Sequence, residues 1–163
     1  MRIQRARRRD AARILTFLRQ FRAEGLPTVF GHPTLPTLPE EEFFIQSLDG
    51  KVGLMLIAVE EQDVIGCLTA EVATHLQLCH SCEIGIGVLK ERRGIGIGTA
   101  LMTRLAQWAK RTGLRRIQAS VFARNEPAIL FYQRLGYLIE GKRKEAVKIG
   151  KHYEDILDMA KRI

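Results

Sequence analysis

The chain has no apolar run approaching the twenty or so residues of a transmembrane helix, which excludes a helical membrane span. Cysteine is sparse. Cys67, Cys79 and Cys82 are an odd number and cannot all pair, which argues against a disulfide scaffold. The opening "MRIQRARRRDAARIL" lacks the apolar centre of a secretory signal, and its Asp10 and absence of serine do not suit a mitochondrial transit peptide. A reduced, cytoplasmic protein is the expectation. Internal repeats and low-complexity tracts are also missing, so solenoids and disordered tails are not expected. Aromatic residues make up 7% of the chain, and none is interleaved in the basic segments "RARRR", "KRTGLRR" and "GKRKEAVK" as a stacking platform for bases.

What is present is an ordinary globular composition, with 46% hydrophobic and 27% charged residues. A length of 163 residues suits one domain with a substantial core, residues 1–163. Lys and Arg number 26 against 18 Asp and Glu, a formal charge of +8. That excess makes a polyanion such as nucleic acid, or a phosphorylated ligand, a natural partner. A bare basic surface would produce the same total.

"RIQRA" reads as a short edge strand, and Asp10 has the chemistry to cap a helix reaching about Arg22, with Ile14, Leu15, Leu18 and Phe21 on one stripe. "GLPTVFGHPTLPTLPE" holds four of the five prolines and is expected to be a loop beside the substrate. "PEEEFFIQSL", with Pro39 and three glutamates at its start, is expected to be a short helix. "LMLIAVE" and "VIGCLTAEVA" form a hairpin, and "CEIGIGV" is a third strand. A helix is predicted from Thr99 to the stop at Gly113, followed by the strand "RRIQASVF" and the helix "EPAILFYQRLG". Three strands, "YLIE", "KEAVKI" and "HYEDILDMA", finish the chain, the last two joined at Gly150 and Lys151.

The segment "ERRGIGIGTALM", residues 91 to 102, is the strongest chemical signal. A strand, a glycine-rich turn and a helix N-terminus make an anion site, because the first helical amides lack partners and the dipole is positive there. Gly94, Gly96 and Gly98 do not complete the dinucleotide fingerprint, since Thr99 stands where its last glycine belongs. No Lys followed by Ser or Thr completes a nucleoside-triphosphate loop. The pattern left is R-x-x-G-x-G.

Arg93 to Gly98 resembles the acyl-coenzyme A loop of the GNAT superfamily of N-acyltransferases, and "NEPAILFYQRLGY" is similar to that family's second signature at Asn125, Ala128, Phe131, Tyr132, Gly136 and Tyr137. Two signatures in the right order are more specific than either alone. The resemblance implies an α/β (α+β) GNAT fold: a central, mixed, mostly antiparallel sheet of six to seven strands, splayed at strands 4 and 5 and flanked by about four helices. It implies transfer of an acetyl group from acetyl-CoA directly to a primary amine. Backbone amides of Gly94, Ile95, Gly96, Ile97, Gly98 and Thr99 would hold the pyrophosphate, helped by Arg93, with Arg92 either on a coenzyme phosphate or in solvent. Asn125 would cap its helix and reach the pantetheine chain, and the Val88 amide would hold the oxyanion. Tyr132 is implied as the general acid for the thiolate.

Glu83 is the candidate base, because strand alternation turns it toward the cleft if Ile84 and Ile86 face the core. An exposed strand-end glutamate, or one that only binds the acceptor cation, is the competing reading. Glu40, Glu41, Glu42, Glu71, Glu154 and Asp155 are further carboxylates available to a cationic acceptor. "HLQLCHSC" gathers His75, Cys79, His80 and Cys82, but one Cys-x-x-Cys is half a zinc site and no metal is expected. The expected partners are acetyl-CoA and an amine, with a homodimer open. A basic RNA- or ribosome-associated module that keeps the fold without turnover is the alternative from another class.

Overall fold

The computed structural model describes residues 1–25 and 34–163, so half of the proline-rich segment expected to be a loop lies outside the described residues. The chain runs β1 (Arg2–Arg5), α1 (Ala11–Ala23), α2 (Leu38–Ser47), β2 (Gly53–Glu60), β3 (Asp63–Val72), β4 (Ser81–Val88), α3 (Ile97–Arg111), β5 (Arg116–Phe122), α4 (Glu126–Arg134), β6 (Leu138–Ile149) and β7 (His152–Arg162). The described strands form one seven-stranded sheet in the order β1-β2-β3-β4-β5-β7-β6. Every neighbouring pair is antiparallel except β4 and β5. This is the mixed, mostly antiparallel sheet that the sequence implied.

Local chemistry accounts for the helix starts. Thr37 caps α2, its N–H and hydroxyl donating to the Glu40 carboxylate at 2.7 and 2.8 Å, and Pro39 occupies the first turn where its missing donor costs nothing. Asp10 stands at the N-cap of α1, yet its side chain accepts the Arg7 N–H at 2.8 Å and pairs with Arg13 instead of capping. Asn125 does cap α4, accepting the Ala128 N–H at 3.3 Å.

The sheet separates two apolar layers. On one face α1 and α2 pack Ile14, Phe17, Leu18 and Ile45 on Met55, Ile57 and Cys67. On the other, α3 and α4 bring Leu101, Leu105 and Tyr132 against Leu68, Ile84, Ala119 and Met159. β2 is buried along almost its whole length, as a central strand covered on both sides must be, and so reads as a continuous apolar run.

Two boundaries differ from expectation. Helix α3 begins at Ile97, with Gly96 as its N-cap, two residues before the predicted start. The expected strands "YLIE" and "KEAVKI" are one strand, β6, which pairs with β7 across irregularities between Ile139 and Gly141 and between Arg143 and Val147. Gly141, Lys142 and Arg143, between the two expected strands, are absorbed by these bulges, because β7 is long enough to template the whole length.

Candidate active site

The site begins with a pairing that stops. β4 and β5 run together only from Ser81 opposite Arg116 to Glu83 opposite Gln118, and beyond that point the strands part. On the other side β4 stays paired with β3, and the Leu89 N–H donates to Ile65 O at 3.1 Å. Backbone polar groups alternate in direction along a strand, so the Ile86 and Val88 N–H groups point into the opened gap. A cleft of about 1270 Å³ follows this gap. Every predicted site residue lines it except Ile95, whose side chain is 66% exposed.

At the mouth of the gap the glycine loop turns into α3. Gly94 and Gly96 have φ of +77° and +90°, which L side chains rarely adopt, and an added Cβ at either would meet open space. Gly98 has a different task, since a Cβ there would lie 3.1 Å from the Phe131 ring. No side chain caps α3, so its leading amides face the cleft with the positive end of the helix dipole behind them. The Ile97 side chain is buried in the core, so only its amide is available to a ligand.

Arg93 is held before any ligand arrives. Its Nε donates to Val88 O at 2.8 Å, its guanidinium pairs with Glu24, and it lies 5.9 Å over the Phe21 ring. Glu24 also accepts the Lys90 N–H at 2.7 Å, and Arg92 pairs with Glu60 at 2.7 Å. Glu24 therefore ties the end of α1 to the loop. Sequence reasoning missed it because the bond spans 69 residues.

Glu83 is exposed to the cleft while Ile84 is buried, as strand alternation predicts. Its Oε1 accepts the Ser120 hydroxyl at 3.0 Å. Ser120 in turn accepts from Arg143 at 3.0 Å, and Arg143 pairs with Asp158 at 2.8 Å. This network joins β4, β5, β6 and β7, and Ser120, Arg143 and Asp158 carry no sequence signature for it. Glu71 stands directly opposite Glu83 in the β3–β4 register, and both line the cleft.

Of the six carboxylates named as available to a cation, Glu41 and Glu71 line the cleft. Glu40 belongs to the α2 cap, Glu42 pairs with Arg8 at 2.8 Å, Glu154 with Arg124 at 2.9 Å and Asp155 with Lys142 at 2.7 Å. Glu41 is 2% exposed, and burial pushes its carboxyl up to about 7.

Tyr132 is 5% exposed, its ring 5.5 Å from that of Phe131 and 5.2 Å from that of Tyr137. Burial raises its pKa, so the phenol stays protonated at neutral pH and is available as a donor. Burial also raises the Cys67 thiol and pushes Cys82 up to about 12, which makes both inert core groups. Among the described residues no three His, Cys, Asp or Glu side chains converge on a point that a metal could occupy. No described helix is long and apolar enough to cross a membrane.

A split parallel pair with an uncapped, glycine-led helix at its mouth is an arrangement for a phosphorylated ligand with a long arm. The chain belongs to the acetyltransferase (GNAT) family, whose model matches residues 5–137, and it is therefore an acyltransferase. The L-amino acid N-acetyltransferase AaaT of Escherichia coli (strain K12) is 29% identical over 149 residues, covering 88% of this chain and 89% of that protein. A GNAT-family acetyltransferase from Streptococcus pneumoniae superposes with a TM-score of 0.91 at 25% identity, covering 99% of both chains. A phosphinothricin acetyltransferase from Sinorhizobium meliloti, solved in complex with acetyl-CoA, shares the fold with a TM-score of 0.87 at 21% identity, covering 99% of this chain and 88% of that one.

Proposed function

We propose that the protein transfers the acetyl group of acetyl-CoA directly to a primary amine, with both substrates bound together. The observation that carries this reading is the opened β4–β5 gap, with the free-pointing amides of Ile86 and Val88 leading to the glycine loop. The pyrophosphate lies on the amides from Gly94 to Thr99, where fixed dipoles replace water. Asn125, at the head of α4, borders the pantetheine path.

The neutral amine attacks the thioester carbonyl, and the charge that develops on its oxygen is met by the Val88 amide. Collapse expels the coenzyme A thiolate, and Tyr132 gives it a proton. The amine proton passes to Glu83, whose carboxylate is oriented by Ser120. Direct transfer requires no nucleophilic side chain, and the only cysteine exposed to solvent, Cys79, lies outside the cleft lining.

Release of coenzyme A thiol is the measurement, with acetyl-CoA and panels of amino acids, peptides and small amines. Amino acids head the panel because of the relative from Escherichia coli. Turnover that saturates in both substrates, with no acetyl-enzyme trapped in the absence of acceptor, supports the reading. Absence of both coenzyme binding and turnover refutes it.

A further inference from the structure

Glu41 is the one buried side-chain oxygen site without a partner among the described residues: the residue is 2% exposed and its Oε1 accepts no hydrogen bond. Buried polar atoms in folded proteins are almost always satisfied, and an orphan carboxylate is costly to keep, so its partner is expected to come from outside the described residues. Glu41 lines the same cleft as Glu83, in a recess of the α1–α2 layer walled by Ile14, Leu18, Phe21, Phe44, Met55 and Cys67. Those walls offer contact to methylene groups and no competing charge. Two of the cations on the elements packed beside α2 are already engaged, Arg8 with Glu42 and Arg13 with Asp10, and Arg22 donates to Thr34 O.

The sheet register gives the spacing of two rungs of the cleft. Cys67, which walls the recess, stands opposite Gly87, four residues along from the rung where Glu71 faces Glu83. At about 3.3 Å per residue this is about 13 Å of strand. The cleft thus has acidic groups toward both ends of its acceptor face and an apolar stretch between them.

We propose that Glu41 is a second recognition point for the acceptor, taking a cationic ammonium at the far end of an aliphatic spacer whose near amine is acetylated beside Glu83. The preferred acceptor is an α,ω-diamine or polyamine. This rests on the acetyl-transfer reading for the chemistry but not for the binding.

The test compares α,ω-diamines of increasing length with monoamines of the same chain length, in the full-length wild-type protein and in Glu41→Gln and Glu41→Asp. Both kcat/KM and the thermal shift on diamine binding are read. In the wild type one length of diamine should exceed its matched monoamine by at least about tenfold in kcat/KM, the scale of a lost charge contact. Glu41→Gln should collapse that ratio toward one, and Glu41→Asp should restore part of it. Glu41→Gln keeps the side chain's shape, and a melting temperature no lower than that of the wild type serves as the folding control.

Equal use of diamines and monoamines, unchanged by Glu41→Gln, overturns the recess and leaves acetyl transfer standing. A Glu41-dependent thermal shift with diamine but no turnover overturns acetyl transfer and leaves the recess standing. Neither shift nor turnover overturns both.

Discussion

Replacing Glu41 by Gln removes one ionisation from the interior while keeping the volume of the side chain, and the consequence is a change in how stability depends on pH. Burial raises the carboxyl from its ordinary 4.5 to about 7, a difference of about 3 kcal/mol between its ionised and neutral forms. Water that reaches the group through the cleft screens part of this, so about 2 kcal/mol is the working figure. The sign follows from which state holds the proton. Below about pH 4.5 the carboxyl is neutral in both folded and unfolded chains, and folding carries no penalty. As the pH rises toward 7 the unfolded chain releases the proton first, so stability falls, and the loss is complete above about pH 7. Two charged groups on the elements packed beside α2 are committed elsewhere, Arg8 to Glu42 and Arg13 to Asp10, and the Cys67 thiol stays neutral because burial raises it. Urea unfolding of wild type and Glu41→Gln at several values between pH 4.5 and 8 isolates the effect, since other titrating groups cancel in the difference. The variant should gain about 2 kcal/mol relative to wild type across that window. A difference that stays constant with pH would refute the buried, ionising carboxyl.

Tyr132→Phe should lower turnover more than tenfold while the affinity for acetyl-CoA stays within about threefold, because only the proton for the leaving thiolate is removed; equal turnover in a thiol-release assay would remove the tyrosine as acid. Gly96→Ala places an L side chain at φ +90°, a strain of about 1–2 kcal/mol, and should weaken coenzyme binding by about tenfold in calorimetry. Glu24→Ala frees Arg93 and the Lys90 amide, and should raise KM for acetyl-CoA severalfold with a smaller effect on kcat in steady-state kinetics.

The glycine-led turn into α3 was legible in "ERRGIGIGTALM" because its chemistry is local: two positive-φ glycines, a helix start and its unsatisfied amides are consecutive in the chain. Tyr132 and Asn125 were legible through the spacing of a second signature, and the direction of Glu83 through strand alternation. The run Glu40, Glu41, Glu42 shows the limit of such reading. Three identical residues fall about 100° apart around α2, and what α1, β3 and the solvent offer at each angle sends one to the cap, one to the interior and one to Arg8. Nothing within the tripeptide distinguishes them.

The sequence by itself determined most of the elements and the glycine-led turn into α3, since periodicity, glycine and capping act over a few residues, and it carried the family through its resemblance to two signatures. Only the tertiary structure decided where β4 leaves β5, that β6 is one strand, that Ser120 orients Glu83 and that Glu41 lies buried without a partner. Each of these depends on residues tens of positions apart meeting in a particular register, and register is a property of the whole packed sheet.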